Sequence, residues 1–257
     1  MSRAPRHLLA EAERVRERLA GGAPALVALD FDGTLTEIVD DPAAPRLTPD
    51  RRRILERIPS PDRRLAIVSG RSLADVRSRV GIEDALYVGN HGLEIEGPGL
   101  SGADEVSAAI ADRLGALLPH LELPAGAFVE DKRLTATIHT RPRENHALHE
   151  RVGRALVPVV ERAGFRLRPG KASWEIRPAE SPDKGDALRA LIGRVPGARA
   201  RTTLYAGDDV TDEDAFRALP DGITVRVGDD DTAPTAARFR LRSPDETYRF
   251  LEILASD

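Results

Sequence analysis

Four short segments carry the side chains best able to do chemistry. They are Asp30-Phe31-Asp32-Gly33-Thr34-Leu35, Ser69-Gly70-Arg71, Gly89-Asn90-His91-Gly92 and Gly207-Asp208-Asp209-Val210-Thr211-Asp212-Glu213. Each follows a short apolar run, at Leu26–Leu29, Leu65–Val68, Leu86–Val88 and Thr203–Ala206 respectively. Carboxylates at the ends of buried strands lose hydration and repel one another, so a cation is needed to offset them. The acidic segments offer only oxygen donors and the chain contains no cysteine, which makes a hard ion such as Mg²⁺ the natural guest. Gly33 permits a tight turn that aims backbone amides inward, and Lys184 adds positive potential, so the same site could take an anionic phosphate group. A solvated acidic loop would account for one such segment but not for four strand ends together.

Positioning those segments requires a parallel sheet. The four apolar runs and a fifth at Ile223–Val227 alternate with helical patterns, the grammar of an α/β fold in which ligands bind beyond the carboxyl ends of the strands. Ser72 with Asp75 reads as a helix start before a pattern that stops at Gly81, and Thr48-Pro49 and Ser181-Pro182 read as two more starts, the second closing at Gly193. Met1 to Ala20 alternates Arg and Glu with Leu and Val and predicts an amphipathic helix.

Between residues 104 and 178 the grammar changes. Helical periodicity at Glu105–Leu118 and Glu144–Ala163 alternates with paired strand patterns at Phe128–Asp131 with Leu134–Thr140, and at Phe165–Arg168 with Ser173–Arg177. The expected organisation is an α/β core formed by residues 1–103 and 179–257, with an α+β domain, 104–178, inserted between Pro98-Gly99 and Pro178–Pro182 as hinges.

Composition excludes several classes of function. A net charge of -4 argues against a nucleic-acid partner, and no apolar run approaches the length of a membrane span. The absence of cysteine and of a secretory leader pattern leads us to expect a soluble cytoplasmic protein, acting as a monomer on a small molecule. Lysine occurs only at Lys132, Lys171 and Lys184 among 38 basic residues. In so arginine-rich a chain, each is a candidate for work that a flat guanidinium does poorly.

The Asp30–Leu35 segment, Ser69, Lys184 and Gly207-Asp208-Asp209 with Asp212 together resemble, in order, the four motifs of the haloacid-dehalogenase-like phosphatase superfamily. Within the insert, Phe128-Val129-Glu130-Asp131-Lys132, His139-Thr140-Arg141, and Gly170-Lys171 leading into Glu175-Ile176-Arg177-Pro178 are similar to the cap domain of trehalose-6-phosphate phosphatases. The chain departs from that pattern at Thr140, where family members commonly carry tyrosine. This resemblance implies a Rossmann-like core with an inserted cap and a Mg²⁺-dependent hydrolysis of trehalose 6-phosphate to trehalose and inorganic phosphate through an aspartyl-phosphate. In it Asp30 is the nucleophile, and Asp32 is the acid and then the base, a double role that crowding by other carboxylates would favour. Ser69 and Lys184 hold the phosphate. The metal ligands implied are Asp30, the Asp32 carbonyl and Asp208, with Asp209 or Asp212 supporting them, and Glu130, Lys132 and Glu175 face the sugar.

Several of these residues have plainer readings. Ser69 could cap a helix, His91 could brace its loop as readily as touch substrate, Arg71 is a substrate ligand of the same standing, and Glu130 and Lys132 could simply alternate outward on a strand. Other functions remain open on sequence alone: a phosphatase for sucrose 6-phosphate or mannosyl-3-phosphoglycerate, a phosphomutase on the same core, or a catalytically silent sugar-phosphate sensor.

Overall fold

The computed structural model describes residues 5–21, 24–39, 41, 43–100, 105–140, 146–170, 172–230 and 234–256. It divides into two compact units, Met1–Gly102 with Pro182–Asp257, and Ala103–Ser181.

The first unit opens with a two-residue strand, β1 (Arg6–His7), a 3-10 turn and α1 (Ala12–Leu19). The single long helix expected from Met1 to Ala20 is therefore broken: regular α-helix begins only at Ala12, because residues 6 and 7 extend and pair with a distant strand. Next come β2 (Ala25–Asp30), α2 (Pro49–Glu56), β3 (Arg63–Val68), α3 (Leu73–Val80), β4 (Leu86–Gly89) and β5 (Glu94–Glu96). Thr48 and Ser72 cap α2 and α3 as expected, accepting the amides of Arg51 and Asp75, and Gly81 closes α3 in the left-handed conformation at φ 65°.

The second unit contains α4 (Glu105–Leu117), β6 (Phe128–Asp131), β7 (Ala136–His139), α5 (His146–Arg162), β8 (Phe165–Gly170) and β9 (Ser173–Pro178). Its four strands form one antiparallel sheet in the order β6-β7-β9-β8. Trp174 lies against Gly153 of α5, where any Cβ would collide with the indole. The helix therefore covers the face bearing Trp174 and Ile176, while Glu130, Thr137 and Glu175, in register across three strands, share the opposite face.

The chain returns to the first unit with α6 (Lys184–Arg194), β10 (Thr203–Gly207), α7 (Asp212–Ala218), β11 (Ile223–Val227), β12 (Phe239–Leu241) and α8 (Pro244–Leu254). Two expectations about α6 are corrected. Asp183, not Ser181, is its cap, in a reciprocal box with Asp186, so Pro182 lies outside the helix. Gly193 does not end it either: the helix runs through to Arg194 and stops at Val195, which turns to an extended backbone.

The eight strands of this unit pair in the order β1-β12-β11-β10-β2-β3-β4-β5, parallel throughout except for β5. From β2 the order proceeds one way to β3 and the other way to β10, so the crevice where a doubly wound sheet binds ligands lies beyond the ends of β2 and β10. All six residues of β2 are buried. Ala25, Val27 and Leu29 pack with α1, α2, α3 and α8, whereas Leu26 and Ala28 pack with α6 and α7. Asp30 continues the second row. The strand thus delivers its terminal carboxylate towards the layer that carries Lys184.

Candidate active site

Asp30, the last residue of β2, is 5% exposed. The Phe31 amide donates to its Oδ1 at 2.7 Å, and the Lys184 ammonium stands 3.0 Å from its Oδ2. Lys184 is buried as the first residue of α6. Its Nζ also donates to Asp212 Oδ1 at 2.6 Å. The two helices approach closely enough for this because Gly185 sits where a Cβ would meet the Asp214 carbonyl oxygen at 2.5 Å.

Asp212 is fully buried. Its Oδ1 accepts from Tyr205 Oη at 2.7 Å as well as from Lys184, and its Oδ2 accepts the Asp209 amide at 2.8 Å. Carboxylate oxygens of Asp30, Asp208 and Asp212 lie within 4.8 Å of one another. Two glycines make room for this cluster: a Cβ on Gly33 would collide with the Asp208 carboxylate, and one on Gly207 with that of Asp212. Gly33 also holds φ at 81°, a conformation that side chains disfavour. Gly33→Ala should therefore cut activity by at least about tenfold and lower stability by about 1–3 kcal/mol, measured by turnover and thermal unfolding.

Electrostatics sets what the cluster could hold. Burial, followed by the charges of its neighbours, pushes the Asp30 carboxyl well above the usual carboxylate range despite Lys184. Burial and then the Asp212 charge push Asp208 up to about 7. On Lys184, burial opposes the charge, but Asp212 and Asp30 outweigh it and hold the ammonium's pKa above the ordinary lysine value. Three carboxylates against one ammonium leave two negative charges uncompensated, which one divalent cation would neutralise. An all-oxygen donor set of this kind suits a hard divalent cation.

The structure distributes the other expected residues unevenly. Asp209 is exposed, its Oδ1 accepts the amide of Val210 at 2.6 Å, and Asp212 takes its place in the carboxylate cluster. Asp32 has a partner that the sequence did not announce. It faces a cation: both its oxygens accept from Arg71, at 2.7 Å from Nε and 2.7 Å from a terminal nitrogen. Ser69 is buried and is not a helix cap, since Ser72 fills that role. Its Oγ accepts the Arg71 amide at 3.1 Å, and its hydroxyl proton remains to be donated.

His91 has the left-handed backbone of a bracing residue, with φ 58° and its amide donating to the Ser69 carbonyl at 3.0 Å. Its ring occupies the space a Cβ on Gly70 would need. In the second unit, His139 Nε2 lies 2.8 Å from Glu130 Oε2, and Arg177 Nε lies 3.9 Å from Glu175 Oε2. Lys132 sits past the end of β6, in the turn to β7, where its amide donates to the Thr135 carbonyl. It therefore does not extend the strand alternation of Glu130. Lys171 and Arg141 fall outside the described residues.

Sequence reasoning left Asp209 and Asp212 as alternatives in a supporting place and did not put Asp212 in the carboxylate cluster itself; it missed the phenol of Tyr205 behind that residue and the Arg71–Asp32 pair. A signal for the first was present: a glycine ends β10 five residues before Asp212, leaving space for a carboxylate to fold back over the strand end.

Comparison with known proteins adds family evidence. Residues 28–245 match the family model described as Trehalose-phosphatase. The chain is 41% identical over 258 residues to the trehalose-phosphate phosphatases of Mycobacterium avium and Mycolicibacterium paratuberculosis, in each case covering 92% of this chain and 63% of the relative. It therefore spans a little less than two thirds of the length of these curated relatives. Among solved structures, the C-terminal domain of C. albicans trehalose-6-phosphate phosphatase superposes with a TM-score of 0.78 at 24% identity, covering 99% of this chain and 98% of that one. That likeness establishes the shared fold.

Proposed function

Because the chain belongs to the trehalose-phosphatase family, we propose that it hydrolyses trehalose 6-phosphate to trehalose and inorganic phosphate in two phosphoryl-transfer steps. The observation that carries this reading is the buried Asp30–Lys184–Asp212 arrangement at the switch point of the sheet, with Asp208 beside it. Asp30, oriented by the Phe31 amide, attacks phosphorus opposite the ester oxygen, and the bond to the sugar oxygen breaks as an aspartyl-phosphate forms. Lys184 and the Ser69 hydroxyl hold the phosphoryl oxygens as charge shifts during transfer.

Asp32 gives a proton to the departing sugar oxygen, and then takes one from the water that cleaves the aspartyl-phosphate and regenerates Asp30. Asp30, Asp208, Asp212 and the Asp32 carbonyl would hold Mg²⁺, which would supply charge neutralisation at the phosphate. Tyr205 keeps Asp212 facing Lys184 and the cluster, and His91 braces the loop that carries Ser69.

Specificity for the disaccharide is assigned to Glu130, Lys132 and Glu175. A neutral sugar rich in hydroxyls needs fixed donors and acceptors more than a charged field. Glu130 and Glu175 flank Thr137 on one sheet face, which supports this assignment.

A sensor that had abandoned catalysis would have no use for a nucleophile buried beside a lysine. Among the described residues, no helix is long and apolar enough to cross a membrane. The direct test is phosphate release from trehalose 6-phosphate with Mg²⁺ and with a chelator. We expect turnover on the order of 1–10³ s⁻¹ with the cation and near-complete loss after chelation, restored by adding Mg²⁺ back. Unchanged turnover in chelator would remove the metal from this account, and no release under either condition would remove the phosphatase.

A further inference from the structure

We propose that Arg71 is a positioning residue for Asp32, fixing the pose from which that carboxyl exchanges its proton with the ester oxygen, rather than a ligand for the substrate. The inference rests on the phosphatase reading above.

Asp32 lies beyond the end of β2, in a tight turn pinned by backbone bonds from Gly33 to the Thr36 carbonyl and from Leu35 and Thr36 to the Phe31 carbonyl. Its side chain is 38% exposed. Those bonds fix the backbone but not the direction of a partly exposed carboxylate, and proton transfer demands that it stay within hydrogen-bond reach of one oxygen atom. Arg71 supplies what the loop lacks. The two parallel bonds of 2.7 Å from its fork to both oxygens of Asp32 set the plane and direction of the carboxylate, which a single ammonium could not do.

The fork is itself held from behind. Its third nitrogen donates to Asp75 Oδ2 at 3.0 Å, and the guanidinium carbon lies 5.6 Å from the centre of the Phe31 ring. Asp75 in turn accepts from Arg79 Nε at 2.8 Å, and Arg79 reaches the carbonyls of Ala43 and Pro45 at 2.9 and 2.8 Å. A row of alternating charges, rooted in α3, thus ends on the one carboxyl that must move a proton. All three nitrogens of Arg71 already donate to carboxylates. A phosphate would have to compete with them.

The leaving group separates this role from its rivals. A sugar alkoxide needs a proton to depart, whereas p-nitrophenolate does not, and kcat/KM reports the steps through departure. Arg71→Met should lower kcat/KM for trehalose 6-phosphate by about 10²-fold or more, and for p-nitrophenyl phosphate by less than about tenfold. Arg71→Lys keeps the charge without the fork and should show the same imbalance between the two esters, so it carries the test alone if Arg71→Met fails to fold. Asp32→Asn should reproduce the selective loss, and adding Arg71→Met to it should cost no more than about a further twofold.

Parallel losses on both esters, full recovery in Arg71→Lys, or an additive double variant would overturn the assignment. Wild-type protein that cleaves neither ester would instead sink the phosphatase reading, leaving the two failures distinguishable.

Discussion

Asp30→Asn should reduce phosphate release from trehalose 6-phosphate by on the order of 10⁵-fold, the loss expected when a nucleophile is removed from a site that otherwise still binds its substrate. The substitution keeps the shape of the side chain and the acceptor for the Phe31 amide, so the loop after β2 should survive. Its effect on stability has a definite sign. Burial and neighbouring carboxylates raise the Asp30 pKa, so the charged form costs stability at neutral pH in the metal-free chain, and that cost is felt as pH rises above the unfolded value. A neutral amide avoids it. Metal-free Asp30→Asn should therefore unfold at a temperature equal to or above that of the wild type, while kcat collapses. Turnover within tenfold of wild type would exclude Asp30 as the nucleophile, and loss of activity together with an early thermal transition would show that Asp30 had been needed for folding.

The second large effect falls on Lys184. Replacing it with methionine preserves most of the buried volume but leaves the buried side chains of Asp30 and Asp212 facing each other without their shared cation. Breaking a buried ion pair from one side typically costs about 3–5 kcal/mol. In a chain of this size that corresponds to a fall in Tm of roughly 10 °C. Turnover should fall by about 10²–10³-fold from loss of the proposed phosphate contact.

The same variant should respond more strongly than wild type to Mg²⁺ in a thermal-unfolding titration, since the cation would then offset charge that lysine had been carrying. Lys184→Arg keeps the charge but must fit a wider planar group between two carboxylates in a closed space. Wild-type turnover in Lys184→Arg, or an unchanged Tm in Lys184→Met, would show that this lysine survives in an arginine-rich chain by chance.

How far the sequence could be read depended on what each feature was made of. The five apolar runs of the main sheet were legible because buried parallel strands read as near-continuous apolar and β-branched runs, and each extends by at most two residues at either end in the structure. β1, β5 and β12 were not legible, since two or three residues carry no periodicity and are held by a neighbouring strand. Pro182 was a poor guide to the start of α6 because Asp183 and Asp186 satisfy each other one step later. In the site, glycine-flanked acidic segments after strands announced the carboxylates. Which aspartate joined the cluster depended on the space left by Gly207, and the environment of Asp32 depended on an arginine 39 residues away. Such pairings are set by tertiary placement, and no local pattern encodes them.

The proposed preference is for trehalose 6-phosphate over other sugar phosphates. It is tested most directly by comparing kcat/KM for trehalose 6-phosphate with that for sucrose 6-phosphate, mannosyl-3-phosphoglycerate and glucose 6-phosphate under identical Mg²⁺ conditions. We predict that trehalose 6-phosphate leads by about 10²-fold or more, because a site built to hydrogen-bond a particular set of hydroxyls leaves its own polar groups unpaired on the wrong sugar. Equal or faster hydrolysis of any of the other three would contradict the assignment.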